Sequence, residues 1–245
     1  ILEFFSLYFL TIKNEYYNYI ASKFLFSITA PLHAFLNDIT EYLNLSRKYS
    51  QIMEENALLY QQLLKISSQT PSSKIAKVIP ASITGIYIKH NSLFFLLDRG
   101  KKDGVSGNEP IIYNNCLIGK IKSVSDNYSL CSSLWNEDFV IGVIIAGSKA
   151  PGIMKFTGPA LSSPAVIEIP LFFQIHKGDT VLTAGSDGIA PYGIPIGTVI
   201  EATPVDEFTQ KAIISPLISP FEINNCFILK DTTLREIKEL VSSAS

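Results

Sequence analysis

Apolar and polar positions follow two different rhythms along the chain, and the change falls near residue 70. Laid out as heptads from Tyr42, the a positions are Tyr42, Tyr49, Asn56 and Leu63, and the d positions are Leu45, Ile52, Leu59 and Ile66. Seven of these eight are apolar or aromatic, at the 3.5-residue spacing that makes a coiled-coil seam. The exception, Asn56, stands alone at an a position. A single buried Asn costs stability but pairs with its mate, so it fixes register and favours a parallel dimer. An amphipathic helix packed on its own domain has the same period; the length of the helix and the a-position Asn favour the dimer. A seam this short is weak by itself, so a membrane anchor would be needed to raise its local concentration.

The first twelve residues, ILEFFSLYFLTI, are apolar except for Glu3, Ser6 and Thr11. As a helix they span about 18 Å, short of the roughly 30 Å hydrocarbon core. Two readings fit: a buried helix end, or the outer end of a membrane helix whose start precedes Ile1. Tyr8, Tyr16, Tyr17 and Tyr19 favour the second, because aromatics collect where a span meets water. A secretory signal fits poorly, since neither a basic start nor a small-residue cleavage site frames the apolar run. Thr29 and Pro31 suit the cap and first turn of a following helix. Residues 1–12 are therefore expected to end a single-pass membrane helix, and residues 13–70 to form the juxtamembrane and coiled-coil helix.

Beyond residue 70 the rhythm shortens. All 14 glycines lie at or after Gly85, and of 13 prolines only Pro31 precedes Pro71. Short runs of β-branched and aromatic residues now alternate with turn signals: Ile83–Ile88, Leu93–Leu97, Cys116–Val124, Phe139–Ile145, Gly197–Ala202, Ala212–Ile214 and Cys226–Leu229. This spacing predicts small sandwiches or barrels rather than βαβ units. The region also repeats loosely. Pro110 to Ile121 (PIIYNNCLIGKI) has a relative in Ile189 to Val199 (IAPYGIPIGTV), with Ile118-Gly119 and Ile196-Gly197 separated by 78 residues (196 − 118). The expected fold is mainly β: the membrane-helix end and long coiled-coil helix, then two small barrels at 74–158 and 159–232, then a tail at 233–245. Gly104, Pro110, Gly119, Gly193, Pro195 and Gly197 are read as barrel-corner residues, placed for φ and close backbone approach rather than for partner contact.

Charge and chemistry narrow the function. Twenty Lys and Arg balance 22 Asp and Glu, which argues against a basic nucleic-acid binder. Three Cys and three His are too few and scattered for a clustered zinc site; Cys116, Cys131 and Cys226 read as buried free thiols. No glycine-rich loop has a phosphate-site context, and no cofactor is expected. Two barrels invite comparison with trypsin-like hydrolases, for which His90, Asp98 or Asp126, and Ser186 would be the triad. Ser186 lies in Gly185-Ser-Asp-Gly188, a poor permutation of the usual nucleophile motif and a better turn sequence. A periplasmic adaptor with a coiled coil is a third reading.

Two segments resemble the barrel signatures of the MreC family of bacterial rod shape-determining proteins. The first is Leu97 to Ile112 (LDRGKKDGVSGNEPII) followed by Leu117 to Ile121 (LIGKI). The second is Lys177 to Gly188 (KGDTVLTAGSDG) followed by Pro191 to Val199 (PYGIPIGTV). Order agrees too: membrane span, coiled coil with Glu54-Glu55-Asn56, two barrels. Glu109, Cys116 and Ala190 depart from the family, which commonly has Met, Gly and an aromatic there. The resemblance implies a non-catalytic, membrane-anchored scaffold of the cell-elongation machinery, with the bulk of the chain extracytoplasmic. Its implied partners are MreD, RodA, MreB and the elongation-specific penicillin-binding transpeptidase, besides a second copy of itself.

Overall fold

A computed structural model of the 245-residue chain describes residues 47–62, 75–156, 158 and 162–231. The membrane-helix end, the tail at 233–245, and seam positions Tyr42, Leu45, Leu63 and Ile66 lie outside them. No described helix is long and apolar enough to cross a membrane.

Residues 47–62 are helical. Tyr49, Ile52, Asn56 and Leu59, the seam positions within this stretch, are all exposed, whereas Ala57 is buried and Tyr60 partly buried. Tyr60 stacks on Phe227, ring centroids 5.9 Å apart. The burial of Tyr60, with a smaller contribution from Cys116, pushes its phenol up to about 12.

The rest is strand. β1 (Ile75–Lys89), β2 (Ser92–Leu97), β3 (Pro110–Tyr113), β4 (Cys116–Val124) and β5 (Ser129–Ser133) come first. Then follow β6 (Val140–Ile145), β7 (Ala150–Lys155), β8 (Ala165–Pro170), β9 (Thr180–Thr183), β10 (Pro195–Pro204), β11 (Thr209–Pro216) and β12 (Asn225–Asp231). The runs read from the sequence fall on β1, β2, β4, β6, β10, β11 and β12 and leave out β3, β5, β7, β8 and β9. Of these, β5 buries the polar Ser129, Ser132 and Ser133, and β7 carries Pro151 and Gly152, so neither shows a strong apolar run.

The strands close into two six-stranded barrels, in the orders β1-β12-β3-β4-β5-β2 and β10-β11-β8-β7-β6-β9. The expected division at 158/159 does not separate them. β6 and β7 already belong to the second barrel, the segment around Gly158 only joins β7 to β8, and β12 returns to close the first. Equivalent neighbours align as β1–β5 with β7–β11, and β12 then occupies in the first barrel the place β6 occupies in the second. Two tandem six-strand units have thus exchanged their last strands. Alternation along a strand says which side faces a core, but not which barrel supplies the neighbouring hydrogen bonds.

The repeat read from the sequence is repeated in hydrogen bonds. Asn108 N–H donates to the Ile121 carbonyl and Ile121 N–H to the Glu109 carbonyl, both at 2.8 Å; Gly178, Val199 and Asp179 repeat the pair at 2.8 and 2.9 Å. Glu109 and Asp179 each then accept from the amide three residues earlier, Ser106 at 3.0 Å and His176 at 2.9 Å. The crossover between barrels, residues 134–139, is itself packed. Leu134, Trp135 and Phe139 are buried in the core cluster, and Leu93 N–H donates to the Trp135 carbonyl at 3.0 Å. Each such fully buried large side chain stabilises the fold by about 1.5–3 kcal/mol.

Candidate functional site

The glycine- and proline-rich signatures are braced from within. In the first, a single turn at Lys101–Asp103 ends on Gly104 at φ +87°, and Lys230 Nζ donates to the Gly104 carbonyl at 2.7 Å. In the second, the buried Thr183 hydroxyl donates to the Pro191 carbonyl and accepts from Ile194 N–H at 2.9 Å. Asp187 ties the same loop to β6 by accepting from Gly142 N–H at 2.7 Å. Gly193 has φ +89° with open space around it. Pro110 and Pro195 open β3 and β10. Gly119 and Gly197 lie inside strands rather than at corners, where the next strand passes too close for a side chain. An added Cβ would sit 2.4 Å from the Ser132 carbonyl oxygen or 2.5 Å from that of Ser215.

The three departures from the family pattern do not alter the surface, because Glu109, Cys116 and Ala190 are all buried. Burial pushes the Glu109 carboxyl above its usual range, against the opposing pull of the Ser106 amide and the Lys230 ammonium, 4.0 Å away. A carboxyl with a raised folded pKa holds its proton more tightly in the folded state. Its contribution to stability is therefore full below the ordinary value of about 4.3 and is lost as pH rises through the raised one. Glu109→Gln keeps an acceptor for Ser106 but cannot ionise. In denaturant titrations the variant should gain on the parent as pH rises through this window; an unchanged difference would show that Glu109 titrates normally.

The hydrolase residues are not assembled. His90 sits in the turn before β2, whereas Asp98 lies just beyond its far end and Asp126 in the β4–β5 turn at that same end, where Ser129 pairs with Leu97; the six-residue strand between is roughly 20 Å long. Asp98 instead accepts from Ser82 N–H at 2.7 Å and pairs with Arg99 at 3.1 Å. Ser186 is exposed in the braced loop of the second barrel. Among the described residues no group of His, Cys, Asp and Glu is placed to hold a metal, and Cys116, Cys131 and Cys226 are buried free thiols. A groove of about 670 Å³ beside Tyr87, Phe94 and Leu130 is rimmed by charges of both signs. The Lys122–Asp138 ion pair at 2.7 Å lies on that rim.

The surface feature that stands out is apolar. Phe172, in the β8–β9 loop, and Phe208, in the β10–β11 turn, are 80% and 78% exposed, beside the exposed Leu171 and Val205. Both loops are held by the backbone. Leu171 N–H donates to the Phe208 carbonyl at 2.8 Å. Asp206 accepts at 2.8 Å from the amides of Phe208 and Thr209 and from the Thr209 hydroxyl. These bonds, the Phe208 amide foremost, hold its carboxyl below the usual range. Behind the tip, Phe173 packs against the core, and Gln210 Nε2 donates to its carbonyl at 2.7 Å. Two large aromatics are thus exposed to solvent on loops whose backbone is held by hydrogen bonds. Sequence reasoning missed them. The available signals were Leu-Phe-Phe directly after Pro170 and an aromatic inside the polar turn Asp206-Glu207-Phe208-Thr209.

Fold and surface together define a double-barrel protein with an exposed apolar tip on its second barrel. A family model described as the barrel core of the rod shape-determining protein MreC matches residues 83–230. The chain belongs to this MreC family. The cell shape-determining protein MreC of Haemophilus influenzae is 29% identical over 177 residues, covering 67% of this chain and 48% of that protein. The chain spans about half the length of the curated relatives it matches. In fold it is similar to the major periplasmic domain of the cell shape-determining filament MreC. There the TM-score is 0.59 at 21% identity, covering 67% of this chain and all of that one (100%). The complex between a penicillin-binding protein (PBP2) and MreC from Helicobacter pylori matches with TM-score 0.52 at 17% identity, covering 62% and 96%.

Proposed function

We propose that this chain is a non-catalytic scaffold of the cell-elongation machinery that docks a penicillin-binding transpeptidase on the apolar tip of its second barrel. The observation that carries this reading is the pair Phe172 and Phe208, four-fifths exposed on loops locked by backbone hydrogen bonds. Pre-ordered side chains lose little entropy on binding, and aromatics, Phe included, are enriched at interface cores. The Helicobacter pylori complex supports the partner class. Binding acts by position: a partner held in one of its conformations is shifted towards it by the difference in affinity. In this reading MreD, RodA and MreB are further companions, and the barrels lie on the periplasmic side of the inner membrane. Titrating the full chain with the transpeptidase of the same organism tests the docking; no saturable binding would overturn it.

Self-association through the helix belongs to the same reading. Tyr49, Ile52, Asn56 and Leu59, exposed on the described helix, are in this reading part of the dimer seam that the heptads lay out from Tyr42 to Ile66. Replacing Leu59 and Leu63 by Glu should place like charges across it and weaken the parallel dimer at least tenfold by sedimentation. Sedimentation identical to the parent's would put the helix's partner within its own chain.

A further inference from the structure

β1 changes neighbours halfway along. Residues Ile75–Ser82 pair with β12, and residues Ile83–Lys89 pair with β2 after a register shift between Ile83 and Gly85. The pairing with the β12 side ends at the bond from Ile83 N–H to the Asn224 carbonyl, 2.9 Å. From Thr84 to Lys89, therefore, one edge of β1 has no strand partner among the described residues. The hairpin closes tightly on His90 and Asn91, at φ +45° and +60°, the backbone signs of the turn that matches strand twist. This projecting edge is apolar. Ile86, Tyr87 and Ile88 are 37%, 54% and 54% exposed in succession, so both faces of the strand are apolar at the same place. Proteins ordinarily blunt such edges with charge, proline or a covering element; here the first charge is Lys89.

We propose that this edge pairs with the same edge of a second copy, antiparallel about a two-fold axis through Tyr87. A two-fold interface needs a self-complementary patch, and Ile86-Tyr87-Ile88 is a palindrome about that axis. Antiparallel pairing sets Ile86 opposite the other copy's Ile88 on one face, and tyrosine beside tyrosine on the other. The same register sets Lys89 opposite the other copy's Gly85, so no like charges meet. Apolar cross-strand pairs of this kind stabilise a sheet, and the unpaired amides and carbonyls of both edges are satisfied together. The contact is separate from the helix seam and does not rest on the transpeptidase reading.

The axis makes a direct test possible. Residues facing each other across an antiparallel pair have Cα atoms about 4.5–5.5 Å apart, inside the range a disulfide spans. The full chain carrying Tyr87→Cys, in a Leu59→Glu/Leu63→Glu background that disables the seam, should cross-link to a covalent dimer under mild oxidation. The yield should exceed that of Val205→Cys, also exposed but off the axis, at least tenfold. The native cysteines are buried and supply little background. In the same background without the cysteine, Ile86→Lys/Ile88→Lys sets lysines opposite one another and should weaken association at least tenfold with the melting curve retained. A Tyr87→Cys yield no higher than the Val205→Cys control overturns the proposal, as does association indifferent to the two lysines. A monomeric edge whose Tyr87→Cys thiol is shielded only when the transpeptidase is added also overturns it, in favour of strand addition by that partner.

Discussion

Gly197→Ala should destabilise the protein by about 3 kcal/mol, the upper end of the usual cost of overpacking a tight site. A single added carbon would stand 2.5 Å from Ile214 Cγ2 and 2.5 Å from the Ser215 carbonyl oxygen. Neither neighbour can yield cheaply: Ile214 is fully buried, and Ser215 is backbone paired with Thr198 in the β10–β11 ladder. For a chain of this size the loss lowers the melting temperature by about 6–12 °C, a large part of a total stability of about 5–15 kcal/mol. Gly193→Ala probes a different cause. Its φ is +89° but no atom lies within 4 Å of the added carbon, so only backbone strain opposes it, about 1–2 kcal/mol. Gly107→Ala, with neither a positive φ nor a near neighbour, serves as the control. Calorimetry should rank the three in that order; a Gly197 variant as stable as the Gly107 control would mean that β10 and β11 do not approach as described.

The double substitution Phe172→Asp/Phe208→Asp should remove transpeptidase binding while leaving the barrels folded. Truncating an interface hot spot costs about 2 kcal/mol or more, close to thirtyfold in Kd. Losing two, with charge added to the apolar tip, should weaken binding by several hundredfold. Stability should change by less than about 1 kcal/mol, since neither ring is buried and Phe172 gives up only its contact with Phe173, 4.4 Å between centroids. Biolayer interferometry with a parallel melting curve separates the two effects. Full-strength binding by the variant would move the docking surface off the tip. Binding lost together with the melting transition would signal a structural effect, which Asp206→Ala would reproduce by releasing the turn without removing either aromatic.

Much of the architecture was legible in residue order because local physics wrote it there. The stretch 47–62, free of glycine and proline, is helix, and the glycine- and proline-rich residues from 75 onward are strands and turns, as allowed backbone angles dictate. The 78-residue echo between Ile118-Gly119 and Ile196-Gly197 marked two copies of one barrel plan. The need for glycine at Gly193 and Gly197 followed from the turn and strand around each. The family resemblance rested on those same punctuation marks. What residue order could not carry was the pairing of distant segments. Val140–Ile145 alternates like any barrel strand, and nothing in it states that it closes the second barrel while Asn225–Asp231 closes the first, because closure depends on hydrogen bonds between strands far apart in the chain. The apolar tip is hidden for the same reason. Leu171, Phe172, Val205 and Phe208 come from two loops, while the nearby Phe173 and Gln210 are drawn inward. Only the folded backbone, through the bond from Leu171 to Phe208, brings the outward pair together and keeps it in water.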